Sequence, residues 1–310
     1  MLEEETVNAI LDYWETRRKI IDEKINEMLA NDVEASMIDI AQYIVRGGKR
    51  FRGVLTLLSC ESLGGTIDKA LDAAMAIELV HAASLSLDDI IDGDLKRRGK
   101  LATWVVYGIP KTVLASNILI PLAQRIVSKY GFKALLYVIK AWEDVTRGEI
   151  LDVYTDKARL RKEDYLDVIG LKTASLFRLA ATLGVIASGR EENIEVFSDY
   201  GYKLGLAYQL ADDIVDLALY MRGEQQELTP MVKLMVEWVL GREVVTEVSE
   251  GLYMDIMHKS LKLLRDYAFE ARRLVMSIDA EPYYQYILAN IPYLMIQKML
   301  EEADMRESVL

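Results

Sequence analysis

The stretch Asp88-Asp89-Ile90-Ile91-Asp92 decides how this chain folds and what it binds. A second stretch of the same form, Asp212-Asp213-Ile214-Val215-Asp216, follows more than a hundred residues later. Both lie inside long apolar-periodic segments without a helix breaker, and residues four apart on a helix share one face. Asp88 therefore stacks with Asp92, although like charges at this spacing repel. Carboxylates placed in this way among apolar neighbours predict a bound cation.

Composition points to a helical protein. The chain has 310 residues, of which 52% are apolar and only five are proline, and residues that favour helices are plentiful. A chain of this length can bury a large core. The net charge of −12 argues against nucleic acid as a general partner, so clustered Lys and Arg need a local explanation.

Apolar residues recur every three or four positions along most of the chain, which indicates amphipathic helices. The predicted helices cover residues 7–29, 37–45, 54–63, 70–91, 163–187 with an interruption at Gly170, 195–220, 231–239, 252–278 and 282–303. Residues 103–130 and 134–154 are expected to form two or three further helices. Repeats, linkers and alternating strand patterns are missing from the sequence. We therefore predict one all-α domain over residues 1–310.

The cysteine content and the chain's N-terminal residues favour a cytoplasmic protein. Cys60 is the single cysteine, and its apolar surroundings predict a buried core residue. The acidic start Met1-Leu2-Glu3-Glu4-Glu5 does not resemble a signal peptide. No uninterrupted run of 18 apolar residues occurs, so stable membrane insertion is not expected.

The densest positive charge lies in Arg46-Gly47-Gly48-Lys49-Arg50-Phe51-Arg52-Gly53, here called the basic segment. Glycine-rich backbone beside Lys and Arg can cradle phosphate through exposed N–H groups and side-chain charge. The spacing differs from that of a Walker A loop. A solvated turn between two helices is an equally good interpretation of this segment taken alone.

Several other residues are candidates for the same site. His81 lies two helical turns before the first acidic cluster, and it either serves that cluster or is a satisfied core residue. Lys172 has apolar neighbours and therefore needs a partner or an anion. Gln209 shares the face of the second cluster. Gly201 and Gly205 predict close helix packing.

Taken in order, these motifs resemble the trans-isoprenyl diphosphate synthases, the polyprenyl synthetase family. The matching segments are Gly47-Gly48-Lys49-Arg50-Phe51-Arg52 for GGKRxR, His81 and Ser84-Leu85 before the first DDxxD, Arg97-Arg98-Gly99 for RRG, Gly148-Glu149-Ile150-Leu151-Asp152 for GQxxD, Lys172-Thr173 for KT, and Gln209 through Asp216 for QxxDDxxD. The chain departs from the family where Gly53 and Leu101 replace prolines, Leu87 replaces a histidine and Glu149 replaces a glutamine.

The resemblance implies a single large helical bundle with a central active-site cavity. It also implies a Mg²⁺-dependent head-to-tail prenyltransferase that condenses isopentenyl diphosphate with an allylic prenyl diphosphate, in a family that usually forms homodimers. Loss of diphosphate from the allylic substrate gives an allylic cation, so neutralising the leaving group is the main catalytic task. Hard Mg²⁺ ions with oxygen ligands suit that task.

By resemblance, each charged group has a role. The metal ligands are Asp88, Asp92, Asp212 and Asp216, and Asp216 can also act through water, as can Asp89 and Asp213. The catalytic set is Asp88, Asp92, Arg97, Lys172 and Asp212. Arg97 and Lys172 hold the allylic diphosphate, Lys49, Arg52, His81 and Arg98 bind isopentenyl diphosphate, and Thr173 and Gln209 offer oxygen dipoles to the cation. The two acidic clusters are thus expected to form two walls of one site.

The segment after the second cluster departs from the family. The family carries a diphosphate-binding lysine there, whereas residues 217–231 contain no lysine. Arg222 and Lys233 are candidate substitutes. The missing lysine supports a second hypothesis, a low-activity or non-catalytic prenyl-diphosphate-binding subunit of a heteromeric synthase.

Three other classes explain less of the sequence. Squalene-type and phytoene-type synthases also pair acidic helix motifs, but they need no metal-free basic pocket. A terpene cyclase would lack the RRG and KT motifs. A purely structural helical protein would leave the acidic and basic clusters unexplained.

Product length is expected to depend on the helix that leads to Asp88. In the family, a bulky aromatic residue five positions before the first aspartate stops growth, and here that position is Ala83. The deeper positions on this helix are Val80, Ile77, Ala76 and Ala73. Since none is aromatic, the resemblance implies a geranylgeranyl or longer product, of about twenty to thirty carbon atoms. Trp142 or Phe177 on other helices is the alternative floor.

Overall fold

The computed structural model describes residues 2–154, 161–243 and 248–302. These residues form the all-α architecture that the sequence predicts. The α-helices are α1 (Glu4–Asp32), α2 (Ile38–Val45), α3 (Phe51–Ser62), α4 (Ile67–Ile91), α5 (Thr103–Tyr107), α6 (Ile109–Val127), α7 (Phe132–Tyr154), α8 (Asp164–Ile169), α9 (Ser175–Ser188), α10 (Ile194–Met221), α11 (Pro230–Leu240), α12 (Glu250–Met276) and α13 (Pro282–Glu302).

Shorter elements connect these helices. The 3₁₀ turns are Ala35–Met37, Ser128–Tyr130 and Glu191–Asn193, and a π-helical turn spans Gly170–Ala174. An antiparallel hairpin joins β1 (Lys96–Arg97) to β2 (Lys100–Leu101). The hairpin was not predicted, because strands of two residues are too short to show an alternating pattern.

The structure defines the boundaries of three predicted segments. The predicted segment 103–130 divides at Gly108, whose φ is 83°, and a proline in the first turn of α6 favours a new start there. Residues 103–154 therefore contain three α-helices, within the two or three expected. The predicted helix 163–187 is interrupted at Gly170, as expected, by the π-helical turn Gly170–Ala174. Helix α1 continues through Asn31 and Asp32, where we expected it to end. The last predicted helical position, 303, lies outside the described residues.

The chain divides into two compact units. The N-terminal unit consists of Leu11–Trp142 and Leu179–Ile194, and the C-terminal unit of Met1–Ile10, Glu143–Arg178 and Glu195–Leu310. The first acidic cluster and the basic segment belong to the N-terminal unit. The second cluster and Lys172 belong to the C-terminal unit.

Helix α4 forms the centre of the N-terminal unit. It packs against α3 and α6, and Ala74, Ala76 and Leu79 are buried on its different faces. Removing large aliphatic side chains from water stabilises the fold by about 1.5–3 kcal/mol each. This packing fixes the end of α4 that carries the first acidic cluster.

Cys60 is buried as predicted, and burial raises the pKa of its thiol to about 12, so it stays protonated.

Helix α10 is packed into the core of the C-terminal unit. Phe197, Tyr200 and Leu210 on this helix are fully buried. The Tyr200 hydroxyl donates a hydrogen bond to the carbonyl oxygen of Leu288 at 2.7 Å, which ties α10 to α13. Helix α13 also packs against α12. The second acidic cluster therefore stands on a helix whose position is fixed along its length.

Within residues 2–154, 161–243 and 248–302, two segments, Ile67–Ile91 and Asp164–Ser188, are long and apolar enough to cross a membrane by length and composition. In their most apolar windows, 72% and 83% of the residues are buried inside the protein. Core helices of soluble proteins have the same length, composition and burial.

Gly205→Ala is expected to destabilise the protein. A Cβ at position 205 would lie 2.5 Å from the Cα of Ala174, so the backbone would have to shift, and such overpacking costs about 1–3 kcal/mol. Urea unfolding followed by far-ultraviolet circular dichroism measures the change.

Gly251→Ala on α12 is the matched control. A Cβ there meets no described atom within 4 Å, and alanine replaces glycine in a helix, so the free energy of unfolding should rise by up to about 1 kcal/mol. Equal stabilities of the two variants would contradict the packing argument.

Candidate functional site

The first acidic cluster occupies the C-terminal end of α4. Asp88 is half-buried and Asp92 is exposed, whereas the middle carboxylate, Asp89, is 2% exposed. Arg97 Nε donates a hydrogen bond to Asp89 Oδ1 at 2.6 Å. Burial raises the pKa of Asp89, and the hydrogen bond and charge of Arg97 oppose that rise. The middle carboxylate thus anchors the hairpin, while the outer two are more accessible.

The hairpin places the RRG motif beside the glycine pair of the basic segment. Strand register pairs Arg97 with Lys100, so Arg98 and Gly99 form a two-residue turn with φ values of 53° and 73°. Positive φ at both positions is the type I′ pattern, and it costs a residue other than glycine about 1 kcal/mol or more. Arg98 Nη1 donates a hydrogen bond to the carbonyl oxygen of Gly47 at 3.0 Å.

The glycine pair leaves room for that guanidinium. A Cβ on Gly48 would lie 2.5 Å from Arg98 Nη1. Trp14 Nε1 donates a hydrogen bond to the carbonyl oxygen of Lys49 at 2.8 Å, which holds the loop against α1. A cavity of about 230 Å³ lies beside these groups. Its lining includes Gly47, Gly48, Asp89, Arg97, Arg98 and Lys100. The basic segment, the RRG motif and the first cluster therefore share one cavity.

Arg50 is the structural member of the basic segment. Its side chain is buried, its Nε donates a hydrogen bond to Asp22 Oδ1 at 2.7 Å, and its Nη1 lies 3.6 Å from Glu78 Oε2. Glu78 Oε1 also accepts a hydrogen bond from the backbone N–H of Gly53 at 2.7 Å. Proline, usual in the family at position 53, has no N–H to donate. Glu78 therefore satisfies the backbone N–H that glycine has at position 53 and the family's proline lacks.

Arg52 and His81, both assigned to one diphosphate from the sequence, are in contact. Burial, together with the charge of Arg52, holds the pKa of His81 well below its usual value. The neutral imidazole can accept a hydrogen bond, and Arg52 Nη1 lies 3.0 Å from His81 Nε2. His81 therefore fixes the position of the Arg52 guanidinium.

The second acidic cluster repeats the arrangement of the first. On α10, Asp212 is exposed and Asp216 is half-buried, whereas Asp213 is 4% exposed. Tyr165 donates a hydrogen bond from its hydroxyl to Asp213 Oδ2 at 2.6 Å, and Gln209 Nε2 donates one to Oδ1 at 3.1 Å. Burial raises the pKa of Asp213 to about 7, and these two hydrogen bonds oppose the rise. Again the middle carboxylate is the anchor.

Tyr165 is a residue of this site that sequence reasoning missed. Its ring is fully buried, and burial together with the charge of Asp213 raises the pKa of the phenol well above its usual value, so it remains a donor. A buried tyrosine needs a hydrogen-bond partner, and that need was the available signal. No spacing rule connects it to an aspartate 48 residues away.

Lys172 and Thr173 lie on the π-helical turn, and such turns are frequent at functional sites. Thr173 Oγ1 donates a hydrogen bond to Gln209 Oε1 at 2.7 Å, so both predicted oxygen dipoles belong to the network of Asp213. Lys172 Nζ lies 2.8 Å from Glu149 Oε2 and 2.9 Å from Asp152 Oδ2. This ion-pair cluster was not predicted from the sequence.

The two candidate substitutes for the missing family lysine have different surroundings. Arg222 Nε lies 2.9 Å from Glu224 Oε1, so a carboxylate already engages it. Lys233 is exposed on α11. Neither the ion pair of Arg222 nor the exposure of Lys233 identifies a diphosphate-binding group after the second cluster.

Each unit thus combines accessible carboxylates with cations held in fixed positions. Carboxylate oxygens suit a hard divalent cation, and guanidinium and ammonium groups suit phosphate. Taken one unit at a time, the geometry fits ligands that carry both a metal ion and a multiply charged anion.

Comparisons with known proteins bear on this geometry. A family model described as polyprenyl synthetase matches residues 34–226. The hexaprenyl pyrophosphate synthase of Saccharolobus solfataricus is 33% identical over 297 residues, which cover 96% of this chain and 98% of that protein. The geranylfarnesyl diphosphate synthase of Methanosarcina mazei is 33% identical over 221 residues, which cover 71% of this chain and 75% of that protein.

A solved structure of polyprenyl synthase from Caulobacter crescentus CB15, complexed with calcium and isoprenyl diphosphate, is also similar. It is 26% identical with a TM-score of 0.73, over 93% of this chain and 97% of that one. The segment matched by the family model contains the basic segment, the hairpin, the π-helical turn and both acidic clusters. On these grounds the chain belongs to the polyprenyl synthetase family.

Proposed function

We propose that this chain is a Mg²⁺-dependent head-to-tail prenyltransferase that condenses isopentenyl diphosphate with an allylic prenyl diphosphate. Family membership makes it a polyprenyl diphosphate synthase with a geranylgeranyl or longer product. The observation that carries the finer assignment is the cavity that joins the basic segment, the RRG motif and the first acidic cluster. A head-to-head synthase or a cyclase has no use for such a basic pocket.

The acidic residues suit magnesium. The outer aspartates of the clusters are more accessible than the middle ones, and we assign them as ligands. They are Asp88, Asp92, Asp212 and Asp216. Among the described residues, no three His, Cys, Asp or Glu side chains converge as a closed metal cage. This fits Mg²⁺, which proteins usually bind through one or two carboxylates, water and substrate phosphates. When bound, magnesium neutralises charge on the departing diphosphate.

Arg97 and Lys172 are assigned to the allylic diphosphate. Both cations are positioned by carboxylates, Arg97 by Asp89 and Lys172 by Glu149 and Asp152. When the allylic carbon–oxygen bond breaks, its electron pair leaves with the diphosphate, and fixed cations stabilise that charge without reorganising. The oxygen dipoles of Thr173 and Gln209 are assigned to the opposite charge, on the allylic cation.

Isopentenyl diphosphate is assigned to basic side chains of the N-terminal unit, of which Arg98 lines the cavity beside the glycine pair. Its ligands would be Lys49, Arg52, His81 and Arg98. The double-bond electrons of isopentenyl diphosphate form the new carbon–carbon bond to the allylic cation. Loss of a proton from the adjacent carbon then restores a double bond, and the departed diphosphate accepts that proton. No side-chain base is assigned to this step.

We propose the location and assembly of the protein from its family and from Cys60. We extend the family's usual homodimer to this chain, with isoprenyl diphosphates as its small-molecule partners. A single buried, protonated thiol suits a reducing compartment. We therefore assign the protein to the cytoplasm.

A second candidate function is a prenyl-diphosphate-binding subunit of a heteromeric synthase. The observation in its favour is the segment after the second cluster. It contains no lysine, and its single arginine, Arg222, is paired with Glu224.

An elongation assay separates the two functions. Purified protein with Mg²⁺ and isopentenyl diphosphate is expected to elongate at least one of dimethylallyl, geranyl and farnesyl diphosphate, and chromatography of the products measures the result. Absence of elongation with every primer would favour the binding subunit.

Asp88→Ala and Asp212→Ala are each expected to lower kcat by about 10³-fold or more, because a group that stabilises transition-state charge is lost. Circular dichroism should show unchanged helicity. Asp68→Ala, at the exposed start of α4, is the control and should retain turnover. A loss smaller than tenfold in either cluster variant would contradict its assignment.

Ala83→Phe is expected to shorten the product. Ala83 is fully buried on α4, and the deeper positions that should line the growing tail are also buried and aliphatic. Ala76→Phe, two turns deeper, should stop growth later and give a product of intermediate length. Chromatography of products from both variants measures the order, and an unchanged product spectrum in both would rule out growth along α4.

A further inference from the structure

Glu149 stands beside Lys172 because two helical segments approach closely. The preceding residue is Gly148, and a Cβ there would lie 2.7 Å from the backbone nitrogen of Lys172. This approach brings Glu149 Oε2 to 2.8 Å from Lys172 Nζ. Asp152, one turn further along α7, contributes a second carboxylate oxygen at 2.9 Å. One ammonium group is therefore shared by two carboxylates.

The charge of this cluster is unbalanced. Two carboxylates and one ammonium sum to a charge of −1, whereas the glutamine usual in the family at position 149 would leave a neutral pair. The Glu149 side chain is 13% exposed. Apart from the Lys172 ion pair, no described residue donates a hydrogen bond to its oxygens, and both are shielded from solvent. The ion pair with Lys172 is thus the main interaction found that stabilises the buried charge of Glu149. Losing this ion pair would raise the free energy of the folded protein.

We infer that Glu149 competes with the allylic diphosphate for Lys172 and thereby lowers the enzyme's affinity for its allylic substrate. A diphosphate that pairs with the Lys172 ammonium weakens the ion pair between Lys172 and Glu149. The negative charge of Glu149 then repels the incoming anion. Asp152 matches the family pattern, so the extra competition comes from the residue that departs from it. This inference rests on the proposed role of Lys172 in holding the allylic diphosphate.

The amide in Glu149→Gln keeps the size of the side chain and an oxygen that can accept a hydrogen bond from Lys172. It removes one negative charge. At the separations typical of neighbouring side chains, one charge alters binding by about three- to tenfold. The KM for the allylic diphosphate should therefore fall by about that factor, while the KM for isopentenyl diphosphate stays unchanged. A general change in stability or folding would not produce this split.

The matched control is Glu143→Gln. Glu143 is an exposed residue on the same helix and in the same unit, six positions before Glu149. Its replacement removes the same charge from the protein but not from Lys172, so both KM values should stay at the wild-type level. A fall in the allylic KM of this control would attribute the effect to net charge and overturn the inference.

Direct binding gives a readout that needs no turnover. Titration calorimetry of inorganic pyrophosphate in Mg²⁺ should give a lower Kd for Glu149→Gln than for the wild type, and Lys172→Met should remove that gain when the two changes are combined. An unchanged or raised Kd in Glu149→Gln would overturn the competition. Wild-type protein that elongates no primer would instead refute the proposed function, and the pyrophosphate titration would still decide the role of Glu149.

Discussion

In both acidic clusters the middle carboxylate is buried and receives a hydrogen bond from outside its own helix. Helix geometry sets this up, because the first and last aspartates of D-D-x-x-D share a face while the second turns away from them. A buried carboxylate without partners would be strongly destabilising. Arg97 donates a hydrogen bond to Asp89, and Tyr165 donates one to Asp213. The hairpin and the network that includes Thr173 are held in place by these two anchors.

The anchoring explains how an acidic protein can present cations to an acidic ligand. Arg97 reaches its position through Asp89, Arg98 through the backbone of Gly47, and Lys172 through Glu149 and Asp152. Each cation is fixed before any ligand arrives, so less side-chain entropy is lost on binding. The densest run of positive charge in the sequence is the basic segment, where an anion is proposed to bind.

Much of the fold could be predicted from sequence, because helices, their stops and the close packing at Gly205 depend on local spacing. The acidic clusters were found for the same reason. Tyr165, the hairpin and the partners of Lys172 were not found. Tyr165 acts across 48 residues, the strands are two residues long, and a single π-helical turn of five residues is too short to show a periodicity. Each depends on tertiary contacts that a one-dimensional pattern does not contain.

The left-handed backbone conformation of Arg98 limits how the thermal stability of this protein can be raised by substitution. Two-residue hairpin turns of this type favour asparagine followed by glycine, and Gly99 already occupies the second position. Asparagine in place of Arg98 should therefore stabilise the turn. The same substitution would remove the guanidinium that donates a hydrogen bond to the carbonyl oxygen of Gly47. At this residue, thermal tolerance and the proposed binding of isopentenyl diphosphate are opposed.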